Sequence, residues 1–291
     1  IRAPPPTVPS SGTRSSTQSE FWLRERGSWN YSERPRSWRG KGCMATSNFL
    51  EQERIVAERI WANDMRSWYP LLVAAGLRTP KTRIVTTGAE LIRLIDGESP
   101  PGFDVFAAAL KVAAQTIGYP CFLRTGQGSG KHFWRNTCFV ESEAVILQHV
   151  VELVEWSECQ SLQGLPTSTW AVRKLLDLDA PFLAYHGMPV ATEARVFINK
   201  GTVQCWHPYW PEDAVEQGKP EGEWREALKQ SYELINKEQE AFLVPARRLA
   251  EFFGHWSVDF ARTKTGDWYA LDMAMAVTSF HWPECDHNML D

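Results

Sequence analysis

Residues 257–274 alternate between polar and apolar side chains around a short turn, a pattern that predicts a β-hairpin. If the turn spans residues 264–267, the strands pair so that Asp259 lies directly opposite Asp272 on one face. Two like charges in a directly opposed pair destabilise a hairpin unless something positive lies between them. Mg²⁺ is usually held by one or two carboxylates together with substrate phosphates. The hairpin therefore predicts a metal site; the alternative is an exposed face on which both aspartates are hydrated.

The same register divides the remaining side chains of the hairpin between two faces. It pairs Thr263 with Trp268 across the turn. The face with the carboxylates would comprise Ser257, Asp259, Ala261, Trp268, Ala270, Asp272 and Ala274. The face that packs against a core would comprise Val258, Phe260, Tyr269, Leu271 and Met273.

The chain of 291 residues is 43% apolar, enough for one large or two modest domains with a hydrophobic core. Its net charge is −4; residues 1–43 hold eight Lys/Arg and three Asp/Glu, which gives +5 there and leaves −9 for the remainder. A general basic surface for nucleic acid is thus excluded beyond residue 43. The six cysteines show no close pairs, and no signal peptide or membrane span is visible. We therefore expect a cytoplasmic protein without disulfides or membrane contact.

Residues 1–43 begin with Ile1, are rich in proline, serine and arginine, and cannot bury a core. This composition predicts a disordered or non-native leader, with Met44 as the natural start. A basic nucleic-acid-binding arm is the alternative. Residues 44–100 form an N-terminal region with predicted helices up to residue 64, over 68–75 and over 89–95, and a strand over 83–87.

From residue 101 onward, helical segments alternate with hairpins, which indicates an α+β protein with antiparallel sheets. We divide this part into a first subdomain, 101–176, and a second, 177–291. The predicted helices span 103–117, 142–155, 221–239 and 244–253. The predicted strands before the final hairpin span 120–125, 138–140, 170–176, 192–198 and 202–206.

The segment Gly126–Lys131 is a glycine-rich loop between two predicted strands. It is not a P-loop, because Thr125 stands at the first glycine position and the residue after the lysine is neither Ser nor Thr. Three glycines nevertheless let backbone N–H groups approach phosphates, while Lys131 supplies positive charge. We predict phosphate contacts from Gly128, Ser129 and Lys131; the alternative is an ordinary long hairpin.

Several cations interrupt predicted apolar strands, where unpaired charges are rare. They are Arg124, Arg173, Lys174 and Arg195. An anionic ligand explains each of them, and so does a structural ion pair, such as Arg195 with Glu193 or Asp272. Their coincidence with two opposed aspartates favours the anionic ligand.

The order of these motifs resembles that of the ATP-grasp superfamily. The shared order is helix, strand ending in a cation, glycine-rich loop, strand, helix, strand, arginine-containing hairpin, helices and acidic hairpin. Residues 118–124 are similar to the strand that presents a cation to the α-phosphate, 170–176 to the strand whose backbone reads adenine, and 193–198 to the strand whose arginine touches the γ-phosphate. Asp259 and Asp272 fall where that family places its metal ligands. The resemblance covers about residues 100–280.

The resemblance implies two α+β subdomains whose antiparallel sheets clamp ATP. The nucleotide-binding residues would be Arg124, Gly128, Ser129, Lys131, Arg173, Lys174 and Leu175, the last two meeting adenine. Asp259 and Asp272 would bind Mg²⁺. Arg195 and Lys131 would be catalytic, because they would stabilise charge on the phosphates.

Three positions depart from the family pattern. Arg124 replaces the usual strand lysine, Asp272 replaces a glutamate, and Ala274 stands where an asparagine normally supplies a further metal ligand. The set of cations looks closest to the bacterial and phage ATP-grasp clade named for two arginines and a lysine. Members of that clade are thought to be ligases, with RNA among their possible substrates.

These features predict an ATP-dependent ligase that activates a small-molecule carboxylate, a peptide or an RNA end. The alternative is a non-catalytic ATP-binding module that regulates or assembles a partner, because Ala274 leaves the metal one ligand short. The acceptor and the oligomeric state stay open.

A second group of potential metal ligands lies near the C-terminus. It comprises His281, Glu284, Cys285 and His287, whose spacing matches no common structural zinc site. Zinc is therefore not predicted. The aromatic segment 206–210 either lines the acceptor pocket or covers the sheet.

Overall fold

The structure, a computed structural model, describes residues 45–160, 164–200, 202–249 and 254–287. The described residues from position 48 onward form one compact unit. The predicted leader at 1–43 and the predicted start at Met44 lie outside the described residues. In the part that the structure describes, no helix is both long and apolar enough to cross a membrane.

Helices and antiparallel strands alternate along the chain, which confirms the α+β class. The α-helices are α1 (Ala45–Asn63), α2 (Met65–Ala74), α3 (Phe103–Ile117), α4 (Ile146–Glu158), α5 (Glu212–Gln217), α6 (Trp224–Glu238) and α7 (Glu240–Leu249). Short 3-10 helices span Leu91–Asp96, Lys131–Phe133 and Ala276–Thr278. The strands are β1 (Thr82–Thr86), β2 (Cys121–Thr125), β3 (Phe139–Val140), β4 (Thr169–Lys174), β5 (Phe182–Ala184), β6 (Met188–Val190), β7 (Glu193–Asn199), β8 (Thr202–Pro208), β9 (His255–Arg262) and β10 (Trp268–Met275).

The first sheet has the strand order β1-β4-β2-β3, and its pairings are antiparallel. Helices α3 and α4 cover one face, where Leu110 and Trp170 belong to a buried cluster. Helix α3 has the predicted bounds and ends at Gly118, whose φ of +94° lets the chain turn toward β2. Because alternate residues point to opposite faces, Arg124 and Arg173 lie on the other face.

The second sheet has the order β10-β9-β7-β8 and is also antiparallel. On one face, Val196, Val258 and Phe260 are almost fully buried and belong to the largest buried cluster, with Phe242 of α7. The Phe242 and Phe260 ring centroids lie 6.1 Å apart. The opposite face carries the polar residues of the candidate site.

Two elements from the N-terminal region 44–100 contribute to these layers. Strand β1 pairs with β4 at the edge of the first sheet. Helix α2 contributes Trp68 and Leu72, both fully buried, to the core of the second sheet. Residues 65–86 therefore supply a strand to the first sheet and a packed helix to the second.

The β9–β10 hairpin places Asp259 directly opposite Asp272, which confirms the predicted pairing. The predicted register at the turn was wrong, because Trp268 pairs with Arg262 and not with Thr263. A β-bulge at Leu271 adds one residue to β10 and restores the predicted register beyond it.

This bulge also corrects the predicted faces of β10. Trp268 and Ala270 are buried in the core instead of lying beside the carboxylates. Tyr269 and Leu271 are only partly buried. The carbonyl of Leu271 accepts a hydrogen bond from Nη1 of Arg173, so the bulge connects β10 to the first sheet.

Some elements differ from the sequence pattern. Strand β3 has only two residues, and the strand predicted over 170–176 ends at Lys174. The β5–β6 hairpin was missed because its strands have three residues each, too few for a periodic signal. Tyr185 and His186 adopt positive φ at its turn.

Candidate functional site

A row of four side chains crosses the polar face of the second sheet. The strand register places His207 opposite Arg195, Arg195 opposite Asp259, and Asp259 opposite Asp272. Directly opposed residues on antiparallel strands share a face, with Cβ atoms about 4.5–5.5 Å apart. This cross-sheet row therefore brings both predicted metal ligands beside the predicted catalytic arginine.

Arg195 binds Asp259 through two parallel hydrogen bonds. Its Nε donates to Oδ1 at 2.7 Å and its Nη2 donates to Oδ2 at 2.9 Å. Burial lowers the pKa of Arg195, but the Asp259 carboxylate outweighs burial and raises the pKa above its ordinary value. The arginine thus has a structural ion-pair partner, and that partner is neither Glu193 nor Asp272.

Arg124 reaches from the first sheet to the second. Its Nη1 lies 2.8 Å from Oδ2 of Asp272, and its guanidinium carbon lies 5.7 Å from the centroid of the Trp68 ring. The arginine side chain is 4% exposed, whereas that of Asp272 is 38% exposed. The carboxylate is therefore the accessible member of this pair.

Arg173 lies on the same face of the first sheet as Arg124 and is 4% exposed. Its Nε donates to Oγ1 of Thr82 at 3.3 Å, and its Nη1 bonds the carbonyl of Leu271. Burial and, to a smaller extent, the positive charge of Arg124 lower the pKa of Arg173 to about 10. Its Nη2 is buried without a hydrogen-bond partner among the described residues. A buried guanidinium with an unused donor fits an anionic ligand such as a phosphate.

The glycine-rich loop is folded back on α4. The N–H of Gly128 donates to Oγ1 of Thr125 at 3.0 Å. A Cβ at Gly128 would lie 2.4 Å from the ring of Trp156, so glycine is required by close packing there. Ser129 is half-buried beside it. A phosphate contact through the N–H of Gly128 would need that hydrogen bond to open.

Lys131 is the last residue of the loop, and its side chain points toward the second sheet. Its Nζ lies 3.9 Å from Oε2 of Glu193 and 4.2 Å and 4.5 Å from the ring centroids of Tyr209 and Trp210. Burial lowers the pKa of Lys131, but Glu193, Tyr209 and Asp259 together outweigh burial and raise the pKa above its ordinary value. The lysine is therefore held in its charged form. Two residues of the aromatic segment 206–210 surround it.

Glu193 is a site residue that the sequence did not identify as such. It is 6% exposed and lies on the face of Arg195, two residues away along β7. The pKa of Glu193 is raised to about 7, because burial and the charge of Asp259 raise it more than Lys131 lowers it. The signal available in the sequence was an acidic residue in a predicted strand, two positions before Arg195.

Replacing Glu193 with glutamine is expected to flatten the pH dependence of the free energy of unfolding. A carboxyl group whose pKa is raised on folding stabilises the protein below its ordinary pKa of 4.5, and this contribution is lost as pH rises through about 7. The wild type should therefore lose more stability across this window than the variant. Urea denaturation at a series of pH values measures the difference. The exposed Glu221→Gln is the control, and equal slopes for wild type and Glu193→Gln would contradict the prediction.

The predicted adenine-binding residues lie at the end of β4. Lys174 is exposed, and its backbone N–H donates to the carbonyl of Lys81 at 2.8 Å. Its side chain points to the face opposite that of Arg173, because the two are consecutive in a strand. Leu175 follows the strand and is half-buried. The structure thus brings together Arg124, Lys131, Arg195 and both aspartates, and leaves Lys174 facing away from the arginines.

Structural comparison finds distant likenesses. Cdc123 from Schizosaccharomyces pombe matches with a TM-score of 0.47 and 12% identity, over 75% of this chain and 85% of that chain. D-Alanine–D-alanine ligase from Bacillus anthracis matches at 0.40 and 12%, over 74% and 57%. Biotin carboxylase from Campylobacter jejuni matches at 0.41 and 15%, over 74% and 40%, so the chain spans about half of each enzyme or less. No curated protein matches the sequence.

Residues 113–286 match the family described as ATP-grasp domain, R2K clade family 3. This segment is more than half of the chain and includes β2, the glycine-rich loop, β4, β7 and the β9–β10 hairpin. The elements that supply the candidate site therefore all lie inside it, and the superfamily inferred from motif order is confirmed. The chain belongs to the ATP-grasp domain family described as R2K clade family 3.

Proposed function

We propose that this chain is an ATP-dependent ligase that binds Mg-ATP between its two four-stranded sheets. The observation that carries this proposal is the gathering of three carboxylate–cation pairs on facing surfaces. The pairs are Arg195 with Asp259, Arg124 with Asp272, and Lys131 with Glu193. The three cations could bind the phosphates of a nucleotide, and the accessible carboxylate of Asp272 could bind its metal ion.

Asp259 and Asp272 suit Mg²⁺, because this ion prefers carboxylate oxygens and phosphates over nitrogen or sulfur ligands. Their direct opposition allows one ion to contact both. When bound, the ion would neutralise charge between the phosphates of the nucleotide.

The cations would then bind the phosphates. Arg124 and Lys131, with Ser129 and Gly128 of the loop, would hold the α- and β-phosphates. Arg173 would use its free Nη2 donor, and Arg195 would stabilise charge on the transferred phosphoryl group. Adenine would lie against Lys174 and Leu175 at the strand end.

The acceptor would be a carboxylate or an RNA end. A carboxylate oxygen attacking the γ-phosphorus would give an acyl phosphate and release ADP, whereas nucleotidyl transfer to RNA would release pyrophosphate and later AMP. Tyr209, which flanks Lys131 and is only half-buried, would supply aromatic surface for either acceptor. Incubation of the chain with Mg-ATP and each acceptor class, followed by chromatography of the nucleotides, distinguishes these reactions.

A binding module without turnover is the second candidate, favoured by one observation. Ala274 lies opposite Ser257, whose Oγ is 2.6 Å from Oγ of Ser279. The position that would supply a third protein ligand is therefore occupied by a methyl group. Binding of Mg-ATP without formation of ADP or AMP, with any acceptor, would support the module; absence of nucleotide binding by the wild type would contradict both candidates.

Replacing Arg124 with methionine is expected to weaken ATP binding about 10- to 100-fold, since a hydrogen bond to a charged group contributes about 1.5–3 kcal/mol. Methionine keeps the apolar stem over Trp68, and the partner Asp272 is accessible to water. Isothermal titration calorimetry measures the affinity. The control is Arg78→Met, which removes an exposed arginine paired with Asp267 and should bind ATP like the wild type. Equal affinities of both variants would contradict the assignment of Arg124.

A further inference from the structure

Four potential metal ligands from two segments that are remote in sequence meet at the edge of the second sheet. They are Cys205 and His207 of β8 and His281 and Cys285 of the C-terminal segment, which we call the cysteine–histidine cluster. One ligand atom from each lies within 4.8 Å of all the others. His281 is 9% exposed, and the other three are half-buried.

The local structure explains how the ligands meet. Cys205 and His207 are two residues apart in a strand, so both side chains point to the same face. In the C-terminal segment, the N–H of Cys285 donates to the carbonyl of Trp282 at 3.1 Å, and this turn brings Cys285 back toward His281. The indole Nε1 of Trp282 donates to the carbonyl of Pro208 at 3.0 Å, which fixes the segment against β8.

The separations approach those of a tetrahedral site. With zinc–sulfur and zinc–nitrogen bonds of about 2.3 and 2.0 Å, ligand atoms lie roughly 3.3–3.8 Å apart. Sγ of Cys205 lies 3.1 Å from Nε2 of His281. The full spread of 4.8 Å needs only a small contraction to enclose an ion.

The surroundings also favour a bound cation. Nε2 of His207 is buried and has no hydrogen-bond partner among the described residues. The rings of Phe197 and Trp282 lie 5.9 and 6.0 Å from the ring of His207, centroid to centroid. An imidazole nitrogen that is shielded from water and lacks a partner is costly to leave unpaired, and coordination would satisfy it.

We propose that the cysteine–histidine cluster binds one zinc ion as a closed structural site. Two sulfur and two nitrogen ligands in tetrahedral arrangement select zinc over magnesium or calcium, which prefer oxygen. With four protein ligands, no position stays open for a substrate, so the ion stabilises structure. The sequence could not predict this site, because His281 and Cys285 combine with residues of β8 rather than with the exposed Glu284 and His287.

The proposed zinc site adjoins the cross-sheet row but does not depend on the proposed ligase function. His207 lies opposite Arg195 in the sheet. The carbonyl of Phe280, next to the ligand His281, accepts a hydrogen bond from Nη1 of Arg195 at 3.2 Å. Zinc would therefore fasten the segment that contacts Arg195, whether or not the domain turns over ATP.

The test is the metal content of the chain purified without a polyhistidine tag, from medium supplemented with zinc and under thiol reductant. Elemental mass spectrometry is expected to find about one zinc per chain. A mercurial thiol reagent should release it, as followed with a chromogenic chelator. Cobalt bound in its place should show tetrahedral d–d bands and thiolate charge-transfer bands. These three readouts use the native chain, so they decide the question even if a variant does not fold.

Cys205→Ser and Cys285→Ser are each expected to lower zinc affinity at least about tenfold. Cys159→Ser, at an exposed cysteine outside the cluster, and His287→Asn, at an exposed histidine of the same segment, should keep the zinc content of the wild type. A wild-type chain without zinc, a Cys205–Cys285 disulfide under these conditions, cobalt spectra without thiolate bands, or full zinc retention in the double serine variant would each overturn the proposal.

Discussion

Replacing Asp259 with asparagine is expected to abolish magnesium-dependent nucleotide binding. Asparagine keeps the size of the side chain but removes the charged oxygen ligand that Mg²⁺ prefers. We expect affinity for Mg-ATP to fall by about 100-fold or more. Affinity for ATP in the presence of a chelator should be retained or increase, because the variant site has one negative charge less and Arg195 loses its competing partner. Calorimetric titration with and without magnesium measures both affinities.

The control for this prediction is Asp267→Asn on the same hairpin. The side chain of Asp267 is 44% exposed and pairs with Arg78 at the surface, so this variant should bind Mg-ATP like the wild type. Breaking the largely buried Arg195–Asp259 pair costs about 3–5 kcal/mol, so the folded fraction of Asp259→Asn must be verified by circular dichroism. A folded Asp259→Asn with unchanged magnesium dependence would remove Asp259 from the metal site.

The opposed aspartates alone do not require a metal ion. Arg195 and Arg124 already neutralise Asp259 and Asp272, and they approach from two different sheets. Binding of Mg-ATP would therefore be an exchange of partners, in which the metal takes the carboxylates and the phosphates take the arginines. Such an exchange keeps buried charges compensated before and after binding, which lowers its cost.

The pairing of Asp259 with Asp272 could be predicted because strand alternation fixes which residues share a face. The bulge at Leu271 could not, since one extra residue leaves no periodic signal. The actual loop is one residue longer than predicted, and the bulge adds one residue to β10. These two errors cancel at the aspartates, which therefore pair as predicted. Between the loop and the bulge they do not cancel, so Trp268 was assigned to the wrong face.

The same limit applies to the candidate site. Arg124 and Arg195 were identified because cations in apolar strands are unusual in any sequence, and Lys131 because it ends a glycine-rich loop. Their partners were harder to predict, because Asp259 pairs with Arg195 across 64 residues and no spacing rule relates them. For the cysteine–histidine cluster the separation between its halves is 76 residues, and neither half resembles a zinc motif alone.

Replacing Trp68 with alanine is expected to lower the free energy of unfolding by about 3–5 kcal/mol, the usual cost of deleting a buried tryptophan side chain. Trp68 is fully buried in the core of the second sheet and lies beneath the guanidinium of Arg124. For a unit of this size, each kcal/mol corresponds to about 2–4 °C in Tm, so we expect a decrease of about 10 °C. Calorimetry and urea denaturation measure the two quantities, and weaker ATP binding should accompany them.

Trp61→Ala is the matched control, because Trp61 is 52% exposed on α1 and its loss removes no core volume. The comparison tests whether the N-terminal region is part of the domain. Helix α2 precedes the segment 113–286 that matches the family, yet its tryptophan contacts both the second-sheet core and an arginine of the first sheet. Equally small decreases in the free energy of unfolding for both variants would mean that α2 is not needed for the stability of the domain. A large effect of Trp68→Ala alone would mean that this chain completes its ATP-grasp core with residues outside the family segment.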